Sequence, residues 1–357
     1  MGRRDSGGNE TTERASHDRE KEMRTELFER QRAAVLGALV ADAASLGFHW
    51  LYDQGRIREL APVEPSFRQP DSGDYAGVSG YFAHEKKGVG DLSQYGEQSI
   101  VMLDSLHSHG GSFSQAVYQD QFQKFFGYGG GYEGYIDHAT RETLNRMESS
   151  EEAMGESPEG IYFGANDEQL PAISKLPPLV SRYVGDPELK DVVESAVRVT
   201  NHNARAVAYG WVCARALESA ILTASPELAR DAARQAAPRE IASELDAAFV
   251  DERVSSAEFT KKLGLSCELK FGVPSVLHQL REVDSFAASV RDNIWIGGDS
   301  CGRAMLLGGV LGACFGVGGD RGIPESWLDR LPRRDMIEER LEAVLGAPKP
   351  QRELVLE

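Results

Sequence analysis

The chain has 357 residues, 41% hydrophobic and 27% charged, a mixture that supports a packed core and excludes a wholly disordered chain. Its 39 Lys and Arg against 56 Asp and Glu leave a net charge of −17, which repels phosphate backbones and, with no basic cluster to reverse it, argues against nucleic acid as a partner. Four cysteines (Cys213, Cys267, Cys301, Cys314) are too few and too scattered for a disulfide framework or a paired zinc site, so a reducing, cytoplasmic setting is expected.

Residues 1–24 hold almost no apolar side chains and read as a disordered N-terminal tail. Within it, Met1-Gly2 followed by Ser6 fits the short N-myristoylation pattern, which matches often by chance. No apolar run marks a signal peptide. The longest uncharged stretch, residues 304–319, has 16 residues and falls short of the ~20 that a membrane span needs, so no membrane partner is expected. From Thr25, the residues Phe28, Gln31, Ala34, Val35, Ala38, Leu39 and Asp42 recur at helical spacing, predicting an amphipathic helix that ends near Gly47. Residues 53–92, with Pro62, Pro65, Pro70 and many glycines, read as a long loop.

Helical runs follow at about 97–108, 113–125, 137–147, 188–200, 203–223, 226–235, 239–249, 256–263, 275–282, 284–292, 300–316 and 335–345. Almost nothing alternates with period two. The expectation is therefore an all-α fold, one domain over 25–346 followed by a C-terminal tail at 347–357. The Pro-rich stretch 170–178 carries Ile173 and Leu176 and reads as packed rather than as a boundary. Gly308, Gly312 and Gly316 stand four apart, as do Ala33, Gly37, Ala41 and Ser45. Each set places a smooth stripe along a helix, and the two helices are predicted to lie side by side in the core.

Three places could carry chemistry. Gly297-Gly298-Asp299-Ser300-Cys301-Gly302-Arg303 opens the second striped helix. Two glycines permit a tight turn and Asp299 or Ser300 can cap the helix, while the same helix start is a ready anion site. Glu97 stands in the first turn after the polar, glycine-bearing run 90–98, where the helix dipole alone would account for it. Asp42 interrupts an apolar helix face and needs partners if buried, whereas His49 alone reads as a core histidine.

Taken in order, AVLGALVADAASLGFHW, the polar turn before the 97–108 helix and GGDSCGRAMLLGGVLGACFG resemble the ADP-ribosylglycohydrolase superfamily over about residues 31–316. FGYGGGYEGYIDHATRETL, LPAISKLPPLV, VTNHNARAVAYG and DNIWIGGDS are most similar to its branch of cnidarian J-type crystallins and selenoprotein J. The resemblance implies an all-α, single-domain ADP-ribosylglycohydrolase-like fold with its site between helix N-termini. It also implies a hydrolase that cleaves the glycosidic bond of an ADP-ribosyl or related nucleotide-sugar substrate, free or protein-linked. Typical members hold two magnesium ions between a Thr-Asp-Asp-Thr motif and a Gly-Gly-Asp-x-Asp-Thr motif.

Here the first motif falls on Tyr95-Gly96-Glu97-Gln98. The second keeps Gly297, Gly298 and Asp299 but has Cys301 and Gly302 in place of its second Asp and its Thr. A thiol is a poor magnesium ligand, so one Mg2+ ion or none is implied, held by Asp299, Glu97 and, weakly, Asp42. Asp299 and Glu97 are then the catalytic pair, one activating water and the other stabilising a cation-like transition state. Substrate binding is implied for His202 and Asn201, for Tyr128 and Tyr132 (with Tyr135) against a purine, and for Gly297, Gly298, Ser300 and Cys301. Asn166, Asp167, Glu168 and Gln169 stand where the family has a glycine-rich substrate loop.

Two alternatives accompany the hydrolase. One is a catalytically inactive, ligand-binding or crystallin-like structural protein. The other is a thiol-dependent redox protein using Cys301, since a helix N-terminus can lower a thiol pKa. Converging acids favour hydrolysis, and a filled cleft favours the structural reading.

Overall fold

The computed structural model describes residues 7–154, 160–250 and 253–348. Residues 1–6, with the Met1-Gly2 pattern, and residues 349–357 of the C-terminal stretch lie outside the described residues. The described helices run, in order, α1 (Gly7–Ser45), α2 (Gln54–Leu60), α3 (Gln94–Ser108), α4 (Gln115–Phe126), α5 (His138–Met154) and α6 (Leu176–Tyr183). Next come α7 (Leu189–Thr200), α8 (Ala204–Thr223), α9 (Pro226–Ala236), α10 (Arg239–Val250) and α11 (Ser256–Leu263). The chain continues through α12 (Leu269–Gln279), α13 (Phe286–Ile296), α14 (Ser300–Phe315), α15 (Glu325–Leu328) and α16 (Arg334–Gly346). Apart from isolated bridges, no strand occurs among the described residues, and the fold is all-α. No described helix is long and apolar enough to cross a membrane.

Several elements differ from the sequence reading. α1 begins at Gly7 rather than near Thr25, so the polar stretch read as a tail extends the helix, with residues 21–26 exposed. α2 and a short 3₁₀ turn at Ser72–Tyr75 give regular structure to the expected 53–92 loop. α6 was masked by its prolines; Pro177 and Pro178 sit in its first turn, where a missing N–H costs nothing. α12 starts at Leu269, upstream of the expected 275, and carries Pro274 inside it, where the missing N–H removes one bond of the helix ladder.

The predicted pairing of the two striped helices forms the centre of the core. A Cβ on Gly37 would stand 2.3 Å from the Gly308 carbonyl, one on Gly308 2.3 Å from the Gly37 carbonyl, and one on Gly312 2.2 Å from the Ala33 carbonyl. Here the α1 and α14 backbones touch, which only glycine allows. Gly316 leaves the stripe: it caps α14 at φ +68° with nothing close to its missing side chain. Residues 300–313 of α14 are all buried, so the helix start is held rigidly beside the C-terminal end of α1.

Candidate active site

α13 ends and α14 begins across Gly297-Gly298, with φ +77° and +66°. A side chain at Gly298 would also strike the Leu265 carbonyl at 2.1 Å, so this turn requires glycine twice over. The turn leaves Asp299 as the N-cap of α14, its Oδ1 accepting the Gly302 N–H at 2.9 Å. Oδ1 also lies 2.9 Å from His49 Nε2, and Oδ2 accepts the Tyr95 hydroxyl at 2.7 Å. Burial pushes the Asp299 carboxyl pKa up, but the hydrogen bond and electrostatic attraction of His49, with hydrogen bonds from Tyr95 and Gly302, outweigh it and hold the group below its ordinary value. Asp299 is therefore a fully buried carboxylate, ionised at neutral pH.

The chain of contacts continues outward. His49 Nδ1 lies 2.6 Å from His84 Nε2. Burial, with His49 and Lys87 nearby, holds the His84 pKa well below its usual value, so this imidazole is neutral. Backbone clips set the geometry: Trp50 N–H donates to Gly298 O at 2.8 Å, Tyr81 N–H to Trp50 O at 3.0 Å, and the Tyr75 hydroxyl to His49 O at 2.7 Å. Trp50 sits at φ +63°, rare for a bulky residue, so backbone strain is stored beside the histidines. Its ring meets Tyr135 at 4.8 Å and Tyr81 at 5.9 Å between centroids, with His84 6.4 Å away. Tyr81 is 55% exposed, so these three rings form an aromatic wall that reaches from the histidines to solvent.

The other expected acids are each committed elsewhere. Asp42 is fully buried in α1 and accepts the Ser93 N–H (2.8 Å) and the Ser93 hydroxyl (2.5 Å). Burial nevertheless pushes its pKa up to about 7. A Cβ on Gly96 would lie 2.5 Å from Asp42 Oδ2, so α3 backbone already fills the space beside this carboxyl. Glu97 Oε1 accepts from Arg333 at 2.7 Å and lines a cavity of about 230 Å³ with Asp91, Leu92, Pro332 and Ile337, while Asp299 does not reach that cavity. The Cys301 thiol donates to the Asp42 carbonyl at 3.5 Å. Burial and the neighbouring Asp42 and Asp299 push its pKa well up, so it is a neutral thiol.

These residues do not fit magnesium. The ion wants several ionised, open oxygens in octahedral array. Here the Asp299 oxygens are occupied by three donors, burial holds Asp42 toward its protonated form with a pKa of about 7, and Glu97 Oε1 is paired with an arginine. Among the described residues no three His, Cys, Asp or Glu side chains stand where they could hold a metal ion. The neutral Cys301 is likewise the opposite of the thiolate that redox chemistry would need.

Among the expected substrate contacts, Gly297, Gly298, Ser300 and Cys301 are buried in the α14 turn, and Ser300 Oγ faces the Ser45 carbonyl at 3.4 Å. Asn201 donates from Nδ2 to Asp167 Oδ1 at 3.1 Å. His202 is exposed and its ring packs on Tyr162, with no contact to Asp299. Tyr132 turns inward onto Phe126 and donates to the Tyr135 carbonyl, whereas Tyr128 stands fully exposed. Of the three tyrosines read as purine contacts, only Tyr135 joins the aromatic wall. The 166–169 segment is pinned by Asn201, Asn203 and Arg205.

Sequence reading missed Tyr95 and His49 (read as a core histidine) as partners of the carboxylate, His84 behind His49, and a buried Lys175. Lys175 Nζ donates to Pro171 O at 2.7 Å and to Thr200 Oγ1, and burial pushes its pKa down to about 7. Tyr95 lay inside the matched motif and could have been singled out. His84 had no local signal at all.

The sequence model of a family described as ADP-ribosylglycohydrolase matches residues 23–353. Crystallin J1A of Tripedalia cystophora is 29% identical over 325 residues, covering 87% of this chain and 94% of that protein. Crystallin J1B of the same organism is 27% identical over 330 residues, covering 88% and 95%. A solved structure titled "ADP-ribosylglycohydrolase-related protein complex" superposes with a TM-score of 0.70 at 20% identity, covering 90% of this chain and 99% of that one. The fold is the same.

Proposed function

The chain belongs to the ADP-ribosylglycohydrolase family, and on that premise we propose that it hydrolyses the C1″ glycosidic bond of an ADP-ribosyl or related nucleotide-sugar substrate without a magnesium pair. The observation that carries this reading is the buried, ionised Asp299 hydrogen-bonded to His49 behind the Gly297-Gly298 turn. Cleavage of such a bond passes through a cation-like sugar, which needs fixed negative charge nearby and a base for water. Asp299 supplies the charge and the histidines supply the proton acceptor. Trp50, Tyr81 and Tyr135 offer faces on which a purine can stack, and Lys87, which lies close to His84, is a cation for the diphosphate.

A second reading is that of a ligand-binding, crystallin-like structural protein. It is favoured by the complete burial of Asp299 and by the crystallin relatives. Incubation with ADP-ribosylated arginine, an ADP-ribosylserine peptide and O-acetyl-ADP-ribose in the presence of EDTA separates the two. The hydrolase reading expects release of ADP-ribose from at least one substrate, at a rate that added magnesium leaves unchanged. If none is cleaved with or without magnesium while ADP-ribose still raises the Tm, the structural reading stands instead.

A further inference from the structure

A separate cavity of about 310 Å³ lies between α2, the start of α11, the end of α12 and α13, and none of Asp299, His49 and Tyr95 lines it. Gln54 ties its walls together, donating from Nε2 to the Ile296 carbonyl at 2.9 Å and the Ala257 carbonyl at 3.2 Å. Two opposite charges face this space without a partner. The Arg58 guanidinium lies 3.8 Å from the centre of the Trp295 ring, which is itself fixed by its N–H to the Ala61 carbonyl at 2.9 Å. Neither Arg58 nor Asp292 makes a side-chain hydrogen bond or an ion pair among the described residues. Partial burial pushes the Asp292 pKa up, and Arg58 is near enough to oppose that shift without touching the carboxylate. Gln279, also on the cavity, is 6% exposed, and its Oε1 has no hydrogen-bond partner among the described residues. The other two charges there are already matched, since Arg281 donates to Glu282 at 3.3 Å and also meets His278 Nε2 at 3.3 Å.

We propose that this cavity binds a free α-amino acid with an uncharged, hydrogen-bonding side chain, its carboxylate on Arg58 and its ammonium on Asp292. A guanidinium and a carboxylate held apart across a walled space are complementary to a ligand that carries the opposite pair. Arg58 can offer the in-plane edge of its guanidinium to a carboxylate while its face stays on Trp295. Asp292 gains the cation that its partial burial calls for. Gln279 Oε1 then accepts an N–H or O–H from the ligand side chain. A charged side chain would find no counter-ion, because Arg281 and Glu282 neutralise each other. The volume stands at the lower end for small-molecule sites, which suits an amino acid and excludes a nucleotide sugar. The site involves no bond making or breaking, and it does not depend on the hydrolase reading above.

Isothermal titration calorimetry of the full chain with L-glutamine and with L-serine at neutral pH tests it. Saturable, one-site binding of at least one of them is expected. The N-acetyl derivative of that amino acid, which lacks the ammonium, and its α-amide, which lacks the carboxylate, should each bind at least ~10-fold more weakly to the wild-type protein. Asp292→Asn and Arg58→Gln should each weaken binding of the parent amino acid by at least the same factor, with the far-UV circular dichroism of the wild type retained. Three results would overturn the proposal: no binding of either amino acid, equal binding of a blocked derivative, or unchanged affinity in either folded variant. The blocked derivatives are measured on the wild-type protein, so they decide the matter even if a variant fails to fold.

Discussion

The substitution Asp299→Asn should lower turnover on the order of 10³–10⁴-fold and cost the fold about 2–4 kcal/mol at neutral pH. Three donors meet at this side chain: His49 Nε2–H, the Tyr95 hydroxyl and the Gly302 N–H. An asparagine keeps one accepting oxygen and turns an NH₂ toward a donor. Its oxygen can keep His49 and Gly302 while the NH₂ turns to the Tyr95 hydroxyl oxygen, so the change removes the negative charge beside His49 and reverses the Tyr95 hydrogen bond. Stability against pH provides an independent check. The folded pKa of Asp299 is depressed, so its contribution is fully present above the unfolded value of about 3.9 and fades as pH falls through the folded one. Denaturant titrations across acid pH should show that loss in the wild type and lack it in Asp299→Asn. Wild-type turnover in the variant would remove Asp299 from the chemistry.

Gly308→Leu should destabilise the protein by about 3 kcal/mol or more. Its first added atom would fall 2.3 Å from the Gly37 carbonyl and 2.5 Å from Ala41 Cβ. Both belong to α1, whose backbone cannot yield without moving the helix that carries Asp42 and leads to His49. Gly316→Ala, four residues further along from Gly312, provides the contrast. Nothing lies within 4 Å of the added atom, and only the left-handed φ of +68° opposes it, at a cost of about 1–2 kcal/mol. Urea unfolding of the two variants reads the difference. Equal costs would mean that α1 and α14 are not in backbone contact.

The helices and the α1–α14 contact were legible because both are written locally, as a 3.6-residue period and as small residues four apart. Asp299 was legible for the same reason, sitting behind two glycines at a helix start. What escaped is long-range. His84 lies 35 residues from His49 in a stretch without periodicity, and the Leu51 bridges to both Gly80 and Gly298 tie its segment to the turn that carries Asp299. Glu97 looked like half of a catalytic pair until folding brought Arg333 to it across 236 positions. Tyr128 and Tyr132 follow the same logic: a glycine-rich aromatic run does not state which ring faces inward.

The proposed magnesium-free chemistry is open to one direct measurement. Crystals of the full chain soaked in excess manganese, a magnesium substitute visible by anomalous scattering, should show no peak among Asp299, Asp42 and Glu97. Two peaks about 3.5–4 Å apart, coordinated by those carboxylates, would contradict it.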